Sequence, residues 1–384
     1  MNVENTYWIA TQWILLALAA SIISIRLGMS VALVEILVGI FGGNVMHIQI
    51  TDWVNFLASV GAVILTFLAG AEINPVSLKK NLKQSMAIGI LSFLLPFLFG
   101  MIVAFYFLGW DVNAAKITGI ALSTTSVAVV YAVMVESKLS ATSFGQSILA
   151  ACFITDLGTV LALGLLFTGF SYKILIFTGA LVLVILVGTP LAKRVFKIYS
   201  GKVSEPEIKF VLLILLLLAY LAVYSGSEAV LPAYIIGLAM AGFFLQYKET
   251  LHKLRAIGFV AFTPFYFIKA GSLVSVKALI TTFSLIALLL IVKVAAKFIG
   301  VLPATMFFKY GRRDGIYTTL LMSTGLTFGT ISALYGLTNQ YITNSQYSVI
   351  VSVVILSAVI PTLIAQKFFF PRNLLKGGQS DGNQ

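Results

Sequence analysis

The chain has 384 residues, of which 60% are hydrophobic and only 10% are charged, and its mean hydropathy is +1.03. A soluble protein of this length cannot bury so much apolar surface, so the composition predicts an all-α protein that crosses a membrane many times. A single cysteine excludes an internal disulfide framework, and two histidines exclude a histidine-rich metal site. No cofactor is expected.

Taken in chain order, the sequence contains thirteen apolar segments long enough to cross roughly 30 Å of hydrocarbon. None of them alternates with a period of two residues, which favours membrane-spanning helices over strands. The segments, numbered 1 to 13, are predicted at 7–25, 30–46, 53–71, 84–108, 114–134, 143–168, 173–198, 207–225, 229–246, 256–276, 278–308, 314–338 and 345–369.

The basic residues are distributed unequally between the two sides of the membrane. If the N-terminus is outside, nineteen of the 25 Lys and Arg residues lie in cytoplasmic loops or at the cytoplasmic ends of segments, three lie in outer loops or at outer segment ends, and three lie in the interior of segments. Basic residues concentrate on the cytoplasmic side of membrane proteins. The distribution therefore predicts a plasma-membrane protein with its N-terminus outside and its C-terminus in the cytoplasm. Topology and anionic lipid also explain the net charge of +12, so no nucleic-acid partner is expected.

Three pairs of sequences about 200 residues apart are similar and keep the same order. They are "VEILVGIFGG" and "PAYIIGLAMAG" in segments 2 and 9, "FLAGAEINPVSL" and "FIKAGSLVSVKAL" at the ends of segments 3 and 10, and "ALSTTSVAV" and "LMSTGLTFGT" in segments 5 and 12. An offset of seven segments is odd, so the two copies should have opposite orientations. Within one transporter unit of residues 1–384, we expect inverted six-helix repeats at 1–169 and 207–370, a connector helix at 170–206 and a polar tail at 371–384. Inverted repeats are typical of transporters.

Segments 5 and 12 are each interrupted by small hydroxyl residues and glycine, as "STTS" at 123–126 and "STGLTFGT" at 323–330. Such residues favour non-helical backbone, which the membrane interior tolerates only where it lines a polar cavity. Paired interruptions in corresponding segments therefore predict a substrate site. The alternative interpretation is that the small residues allow close packing of helices.

Asp156 is the only formal charge in segment 6, and it lies thirteen residues into that segment, near the midplane. An ionised carboxylate there costs several kcal/mol unless it is paired or hydrated. Such a group can carry a proton or a cation but not both, and this competition suffices for coupled exchange. The hydroxyl groups of Thr155, Thr124, Thr125 and Ser126, together with carbonyls freed by the interruption, are the expected further ligands of a monovalent cation.

Lysines within the segments are the other unusual charges. Lys293 lies at the centre of segment 11 and should face either Asp156 or the ends of the interrupted helices, where a cation offsets the C-terminal helix dipoles or carries a proton. Lys297, one turn later, is interpreted as extending toward the membrane surface. Lys269 in segment 10 is a secondary candidate without an assigned role.

Four further residues are secondary site candidates. Cys152 lies one helical turn before Asp156 on the same face, although a buried small apolar residue is the alternative interpretation. Thr324 and Thr327 belong to the second interruption. Glu72 lies near the cytoplasmic end of segment 3, where it either lines a funnel or is exposed at the membrane surface.

Four stretches carry a family resemblance: "ATSFGQSILAACFITDLGTVLAL", "LSTTSVAVVYAVM", "LTFLAGAEINPVSL" and "IVKVAAKFIGVL". Together they resemble the bacterial sodium/proton antiporters of the monovalent cation/proton antiporter superfamily, and the resemblance covers nearly the whole chain. It implies a homodimer whose six-helix core domains move against a dimerisation domain in an elevator-like motion. It also implies that segments 5 and 12 are crossed discontinuous helices, that Asp156 binds the cation and the proton, and that Lys293 is the core lysine.

The chain departs from the family pattern in two places. Electrogenic members have Asp-Asp with a lysine partner and electroneutral members commonly have Asn-Asp with arginine, whereas this chain has Thr155-Asp156 with Lys293. Many relatives have Arg-Gly-Glu where the second interruption has Gly-Leu-Thr at 325–327. One deep carboxylate exchanging one cation for one proton predicts electroneutral exchange, and a further proton released by Lys293 would make the exchange electrogenic.

The predicted function is secondary active antiport of a monovalent cation, Na+ or Li+ first and K+ next, against H+ by alternating access. The alternative is a sodium-coupled organic-anion symporter of the same architecture, with Lys269 as the counter-ion of the anion. An enzyme is not expected, because the sequence has neither the Ser/His or paired-Asp site of an intramembrane protease nor the clustered aspartates of a prenyltransferase. A lone carboxylate among basic residues is also a poor filter for a channel.

Overall fold

The structure is a computed structural model that describes residues 3–27, 29–73, 75–167, 172–225 and 229–371. Residues 372–384, which make up nearly all of the predicted tail, lie outside the described residues. Within the described residues the chain folds into α-helices, three of which end or continue in a π-helical turn (residues 42–46, 103–107 and 184–188). The helices are α1 (Val3–Leu27), α2 (Val31–Phe41), α3 (Asp52–Ala71), α4 (Pro75–Ile102), α5 (Val112–Ser123), α6 (Val127–Glu136), α7 (Ser143–Phe167), α8 (Tyr172–Leu183), α9 (Thr189–Tyr199), α10 (Pro206–Tyr224), α11 (Val230–Phe244), α12 (Lys248–Ala261), α13 (Thr263–Ser272), α14 (Val276–Thr281), α15 (Phe283–Phe307), α16 (Arg312–Met322), α17 (Thr327–Thr338) and α18 (Asn344–Phe368).

Ten helical stretches among the described residues are long and apolar enough to cross a membrane, judged by length and composition. Two shorter apolar stretches, Val31–Met46 and Pro232–Phe244, coincide with predicted segments 2 and 9. Predicted segment 10 is divided at Phe262, because Pro264 lies in the first turn of α13 and cannot continue the ladder of α12. The chain is therefore an all-helical membrane protein, while the count of thirteen crossings stays a prediction.

Local sequence sets several helix boundaries. The Asp111 carboxylate accepts hydrogen bonds from the amides of Asn113 (2.8 Å) and Ala114 (3.2 Å) at the start of α5. Thr343 and Gln346 form a reciprocal capping box at the start of α18. These contacts satisfy first-turn N–H groups that have no partner inside the helix, so polar residues in short loops fix where the apolar helices begin.

Glycines bring two pairs of helices into backbone contact, α2 with α13 and α3 with α11. At each of four glycines, an added Cβ would collide with a carbonyl of the facing helix. The glycines and the residues whose carbonyls they face are Gly39 with Ile268, Gly271 with Ile36, Gly70 with Tyr234, and Gly237 with Phe67. Only a residue without a side chain permits this approach.

The helices pack in two groups that meet at the interrupted helices. In one group, α4 packs against α5, α7 and α15, and α15 packs against α16 and α18. In the other group, α3 packs against α11 and α13, and α2 packs against α1 and α13. Helix α6 contacts α2 and α3 as well as α7, and so it lies between the two groups.

Candidate functional site

The two interruptions predicted from the sequence are present. Residues 124–126 separate α5 from α6 in extended conformation, with φ and ψ of −61° and 149° at Thr124 and −89° and 107° at Ser126. Residues 323–326 separate α16 from α17, so the second interruption is shorter than the predicted 323–330 and Thr327 already begins a helix.

Hydrogen bonds join the two interruptions directly. The Ser126 amide donates to the Thr324 carbonyl at 3.2 Å, and the Thr125 hydroxyl donates to the Met322 carbonyl at 2.8 Å. Backbone N–H and C=O groups in a non-helical segment inside a membrane need hydrogen-bond partners from the protein, because lipid supplies none. The two interruptions are therefore one structural unit, and it contains the predicted residues Thr124, Thr125, Ser126 and Thr324.

Lys297 lies at the first interruption. Its amino group donates to the Ser92 hydroxyl (2.7 Å), the Ser123 carbonyl (2.8 Å) and the Thr125 hydroxyl (2.9 Å), and the side chain is 0% exposed. The interpretation that Lys297 extends toward the membrane surface was wrong. Its ammonium group donates to a backbone carbonyl at the C-terminal end of α5, where helix carbonyls lack helical partners and carry negative partial charge. Ser92 was missed, and a single serine in an apolar segment gave no signal for it.

Lys293 lies one turn before Lys297 and points to the second interruption. It is also 0% exposed, and its Nζ atom has no hydrogen-bond partner among the described residues. A Cβ added at Gly325 would collide with this Nζ, and it would lie 3.0 Å from the Thr124 hydroxyl and 3.2 Å from the Ser357 hydroxyl. Of the two placements expected for Lys293, the structure shows the one at the end of an interrupted helix.

Asp156 is the acidic group of this region. It is 5% exposed, and its Oδ1 atom has no hydrogen-bond partner among the described residues. Lys297 is the cationic group whose charge acts on Asp156. Cys152, one turn earlier, places its sulfur 3.7 Å from the Met322 sulfur and so joins α7 to the second interruption. The described residues contain no group of three His, Cys, Asp or Glu side chains that could hold a metal ion.

The hydroxyl groups predicted as further cation ligands are already hydrogen-bonded within the protein. Thr155 donates to the Ala151 carbonyl (3.0 Å) and to the Gly89 carbonyl (3.3 Å), so its side chain faces α4. The Thr124 hydroxyl donates to the Ala121 carbonyl in α5 (2.9 Å), whereas the Ser126 hydroxyl accepts from the Val129 amide (3.4 Å) and so caps α6. A hydroxyl that donates its proton keeps oxygen lone pairs that can accept a cation. Their role as ligands stays a prediction.

Tyr266 is a site residue that sequence reasoning missed. Its hydroxyl is hydrogen-bonded to the hydroxyl of Thr327, the first residue of α17, and also contacts the Ser126 side chain, so it links the first interruption to the helix that follows the second. The charge of Asp156 acts on it as well. The tyrosine within "TPFYFIKAG" of segment 10 was the available signal.

A cavity of about 250 Å³, here called the vestibule, lies between α3, α13 and α17. Its inner lining includes Tyr266, Leu326 and Thr327, so it ends at the second interruption. Lys269 lines its wall, and the exposed Ser59 near the start of α3 belongs to its rim. The vestibule therefore reaches from the surface of the protein to the second interruption.

Glu72 is separate from the Asp156 site and lies at the opposite end of α3 from Ser59. It accepts a hydrogen bond from the Tyr131 hydroxyl (2.6 Å) and forms an ion pair with Arg255, and its side chain is only 8% exposed. The Gln146 amide also donates to the Glu72 carbonyl at 3.4 Å. These four residues, here called the Glu72 cluster, join α6 and α7 to the end of α3 and to the middle of α12.

Several transport proteins are similar to this chain over most of their length. A probable Na(+)/H(+) antiporter 3 of Methanocaldococcus jannaschii is 27% identical over 354 residues, which are 88% of this chain and 89% of that protein. A Na(+)/H(+) antiporter of Enterococcus hirae is 28% identical over 364 residues, which are 90% and 93% of the two chains. The Na(+)/H(+)-K(+) antiporter GerN of Bacillus cereus is 26% identical over 361 residues, with coverage of 90% and 92%.

A solved structure has the same fold. The sodium proton antiporter MjNhaP1 of Methanocaldococcus jannaschii, determined at pH 8, superposes with a TM-score of 0.71 over 96% of this chain and 99% of that chain, at 16% sequence identity. The family model for the transmembrane domain of sodium/hydrogen exchangers matches residues 14–370, which is nearly the whole chain. Members of this family are transporters and not enzymes. The chain belongs to the sodium/hydrogen exchanger family.

Proposed function

We propose that the chain is a secondary active antiporter that exchanges a monovalent cation for H+ at Asp156. The observation that carries this proposal is the buried carboxyl group of Asp156, whose Oδ1 has no partner among the described residues. An ionised carboxylate in such a place is costly unless a cation neutralises it, and a proton neutralises it equally well. The names of the relatives support cation/proton exchange and favour it over the organic-anion symporter.

Sodium or lithium is the proposed cation, with K+ as the third candidate. The oxygen atoms proposed to bind the cation together with Asp156 are the hydroxyl groups of Thr124, Thr125, Ser126 and Thr155 and backbone carbonyls at the interruptions, and hard cations prefer oxygen ligands. The relatives from M. jannaschii and E. hirae are named for Na+ and H+, and the one from B. cereus also for K+.

The exchange is proposed to be electroneutral. The ammonium group of Lys297 donates three hydrogen bonds at the end of α5. These bonds stabilise its protonated form, so it keeps its proton when a cation binds at Asp156. Lys293 acts as the core charge partner by offsetting the C-terminal dipole of α16. Asp156 then takes one cation or one proton in each half of the cycle. A proton released by Lys293 would make the exchange electrogenic.

Inverted repeats are supported by the glycine contacts. Gly39 and Gly237 occupy the same place in the aligned segments 2 and 9, and Phe67 and Ile268 occupy the same place in segments 3 and 10. Gly39 faces the carbonyl of Ile268, and Gly237 faces the carbonyl of Phe67. Each repeat thus contacts the other in the same way, and the remaining two glycines repeat this relation. Such a pair of contacts is expected when two copies are related by a pseudo-two-fold axis.

The proposed transport cycle alternates access between two sides of the membrane. With the basic loops in the cytoplasm, the N-terminus and the vestibule face outward and the Glu72 cluster lies at the cytoplasmic side. The described conformation would then admit ions from outside while the cluster closes the inner path. As the family resemblance implies, the helix group of α4, α5, α7, α15, α16 and α18, together with α6 and α17, would carry the ion by moving against the other group within a homodimer in the plasma membrane.

The experiment that tests the function uses purified protein in liposomes with an internal pH dye and an imposed proton gradient. Addition of NaCl, LiCl or KCl should move protons with the wild type, and Asp156→Asn should abolish the response because it removes the titrating carboxyl group. The matched control is Asp52→Asn, which changes an exposed acid at the start of α3 and should leave the response intact. If no cation moves protons, or if Asp156→Asn responds like the wild type, the proposed function is wrong.

A further inference from the structure

Lys269 is the charged residue in the vestibule. The other described residues that line this cavity are apolar or carry only a hydroxyl group. Lys269 lies one helical turn after Tyr266 on α13, and the Tyr266 hydroxyl contacts Ser126 in the first interruption and Thr327, which directly follows the second. The ammonium group therefore lies in a cavity that ends at the second interruption, and an ion that used this cavity to approach Asp156 would pass it.

The other side of the molecule has no equivalent charge at this position. When Gly70 and Gly271 are aligned, as the repeats require, the counterpart of Lys269 is Leu68 of α3. Leu68 is neutral and fully buried. At this aligned position the two sides of the molecule thus differ by one positive charge, which lies on the vestibule side.

We propose that Lys269 lowers the affinity of the outward-facing site for its transported cation, so that cations are released on the vestibule side and rebind weakly from it. The proposal rests on the antiporter function and orientation given above. A fixed ammonium group in a narrow, largely apolar cavity repels a second cation more strongly than it would in bulk water. The same charge acts only in the conformation that opens the vestibule, so the affinity from the cytoplasmic side is unaffected.

Competition with protons gives this effect a distinct signature. Na+ and H+ carry the same charge and bind the same carboxyl group, so Lys269 weakens both by a similar factor. At alkaline external pH protons do not compete, and removing the charge lowers the apparent KM for external Na+. At acid external pH the gain in Na+ affinity is offset by an equal gain in proton affinity, so the change disappears.

The test compares right-side-out and everted membrane vesicles that contain the full chain as the only antiporter. In right-side-out vesicles, Lys269→Gln should lower the KM for external Na+ by at least about threefold at alkaline pH and leave it unchanged at acid pH. In everted vesicles, where Na+ reaches the cytoplasmic side, the KM should be unchanged at both pH values. Lys269→Arg keeps the charge and should behave like the wild type, and Lys269→Met supplies a second neutral variant if Lys269→Gln is poorly expressed.

Lys277→Gln is the matched control, because it removes an exposed lysine close in sequence that does not line the vestibule. It should leave both KM values unchanged. An equal fall of KM on both sides, a fall that does not depend on pH, or the same fall in Lys277→Gln would overturn the role of Lys269. Absence of exchange in the wild type would overturn the antiporter function instead, so the two failures are distinguishable.

Discussion

Lys293 and Lys297 lie one turn apart on α15, and both side chains are fully buried. Their amino groups nevertheless have different surroundings. Lys297 donates three hydrogen bonds at the end of α5, whereas Lys293 has no hydrogen-bond partner among the described residues. Burial of an amine without hydrogen bonds costs more than its attraction to the end of α16 returns, so the two lysines should contribute to stability with opposite signs.

Substitution by methionine separates the two lysines, because it keeps the length of the side chain and removes the amino group. Lys297→Met leaves the Ser123 carbonyl and the Ser92 and Thr125 hydroxyls short of a donor, at a cost of about 1–3 kcal/mol. Lys293→Met removes an unpaired buried amine. In detergent, thermal unfolding monitored by intrinsic fluorescence should give a lower Tm for Lys297→Met and an equal or higher Tm for Lys293→Met. A similar drop in both variants would show that Lys293 has a stabilising partner.

The residues of the site were only partly predictable from the sequence. Asp156 and the hydroxyl residues of the interruptions could be identified because charge and small polar residues are rare in apolar segments. Lys297 was misinterpreted, because spacing along a helix does not show which neighbouring helix the side chain meets. Tyr266 and Ser92 were missed for the same reason, since their partners are more than 60 and 200 residues away in sequence, respectively.

At the scale of helices, the close crossings of α2 with α13 and of α3 with α11 depend on glycine. Gly271→Ala would place a Cβ against the Ile36 backbone, which cannot move without shifting α2. Overpacking of this kind costs roughly 1–3 kcal/mol or more. Gly179→Ala is the matched control, because nothing lies within 4 Å of its added Cβ, and alanine in an exposed helix position is favourable by about 0.5–1 kcal/mol.

Size-exclusion profiles and thermal unfolding of the two variants would check this expectation. Gly271→Ala should lose monodisperse protein or show a clearly lower Tm, while Gly179→Ala should match the wild type or exceed it slightly. If Gly271→Ala were as stable as the wild type, α2 and α13 would have to be further apart than the structure shows.

The helices themselves were more predictable than their interruptions. Hydropathy located the apolar segments because each must match the thickness of a membrane. The division of segment 10 at Phe262 was not predicted, since the segment remains apolar on both sides of the backbone turn. The second interruption was predicted too long, because Thr327 and Gly329 are weak helix formers that tertiary contacts nevertheless hold in α17.

At the scale of the whole molecule, a cavity opens beside the first half of α3, whereas polar contacts close the space beside its C-terminal end. The vestibule opens beside Ser59 near the start of the helix, and the Glu72 cluster joins α3 and α12 to α6 at its end. If the protein alternates between two conformations, the cluster must break when the inner path opens. The ion pair between Glu72 and Arg255 then favours the described conformation, and its loss should shift the equilibrium away from it.

This shift can be measured by chemical labelling of Ser59→Cys in intact cells with a membrane-impermeant maleimide. The native Cys152 is buried and provides a low background. Removing one partner of a largely buried ion pair costs several kcal/mol in the state that contains it. The labelling rate of the double variant Ser59→Cys/Arg255→Gln should therefore be about half the rate of Ser59→Cys alone, or lower, because the vestibule is open for a smaller fraction of the time.

Lys253→Gln separates the loss of this ion pair from a general change of charge on α12. Lys253 forms ion pairs with Glu205 (2.6 Å) and Glu249 (3.2 Å) at the surface, where such pairs contribute little. Its variant should be labelled at the rate of Ser59→Cys alone. Equal slowing by both substitutions would point to the charge of α12 rather than to the Glu72 cluster. Labelling that occurs only in everted vesicles would place the vestibule on the cytoplasmic side, and both the proposed orientation and the role of Lys269 in cation release would then be reversed.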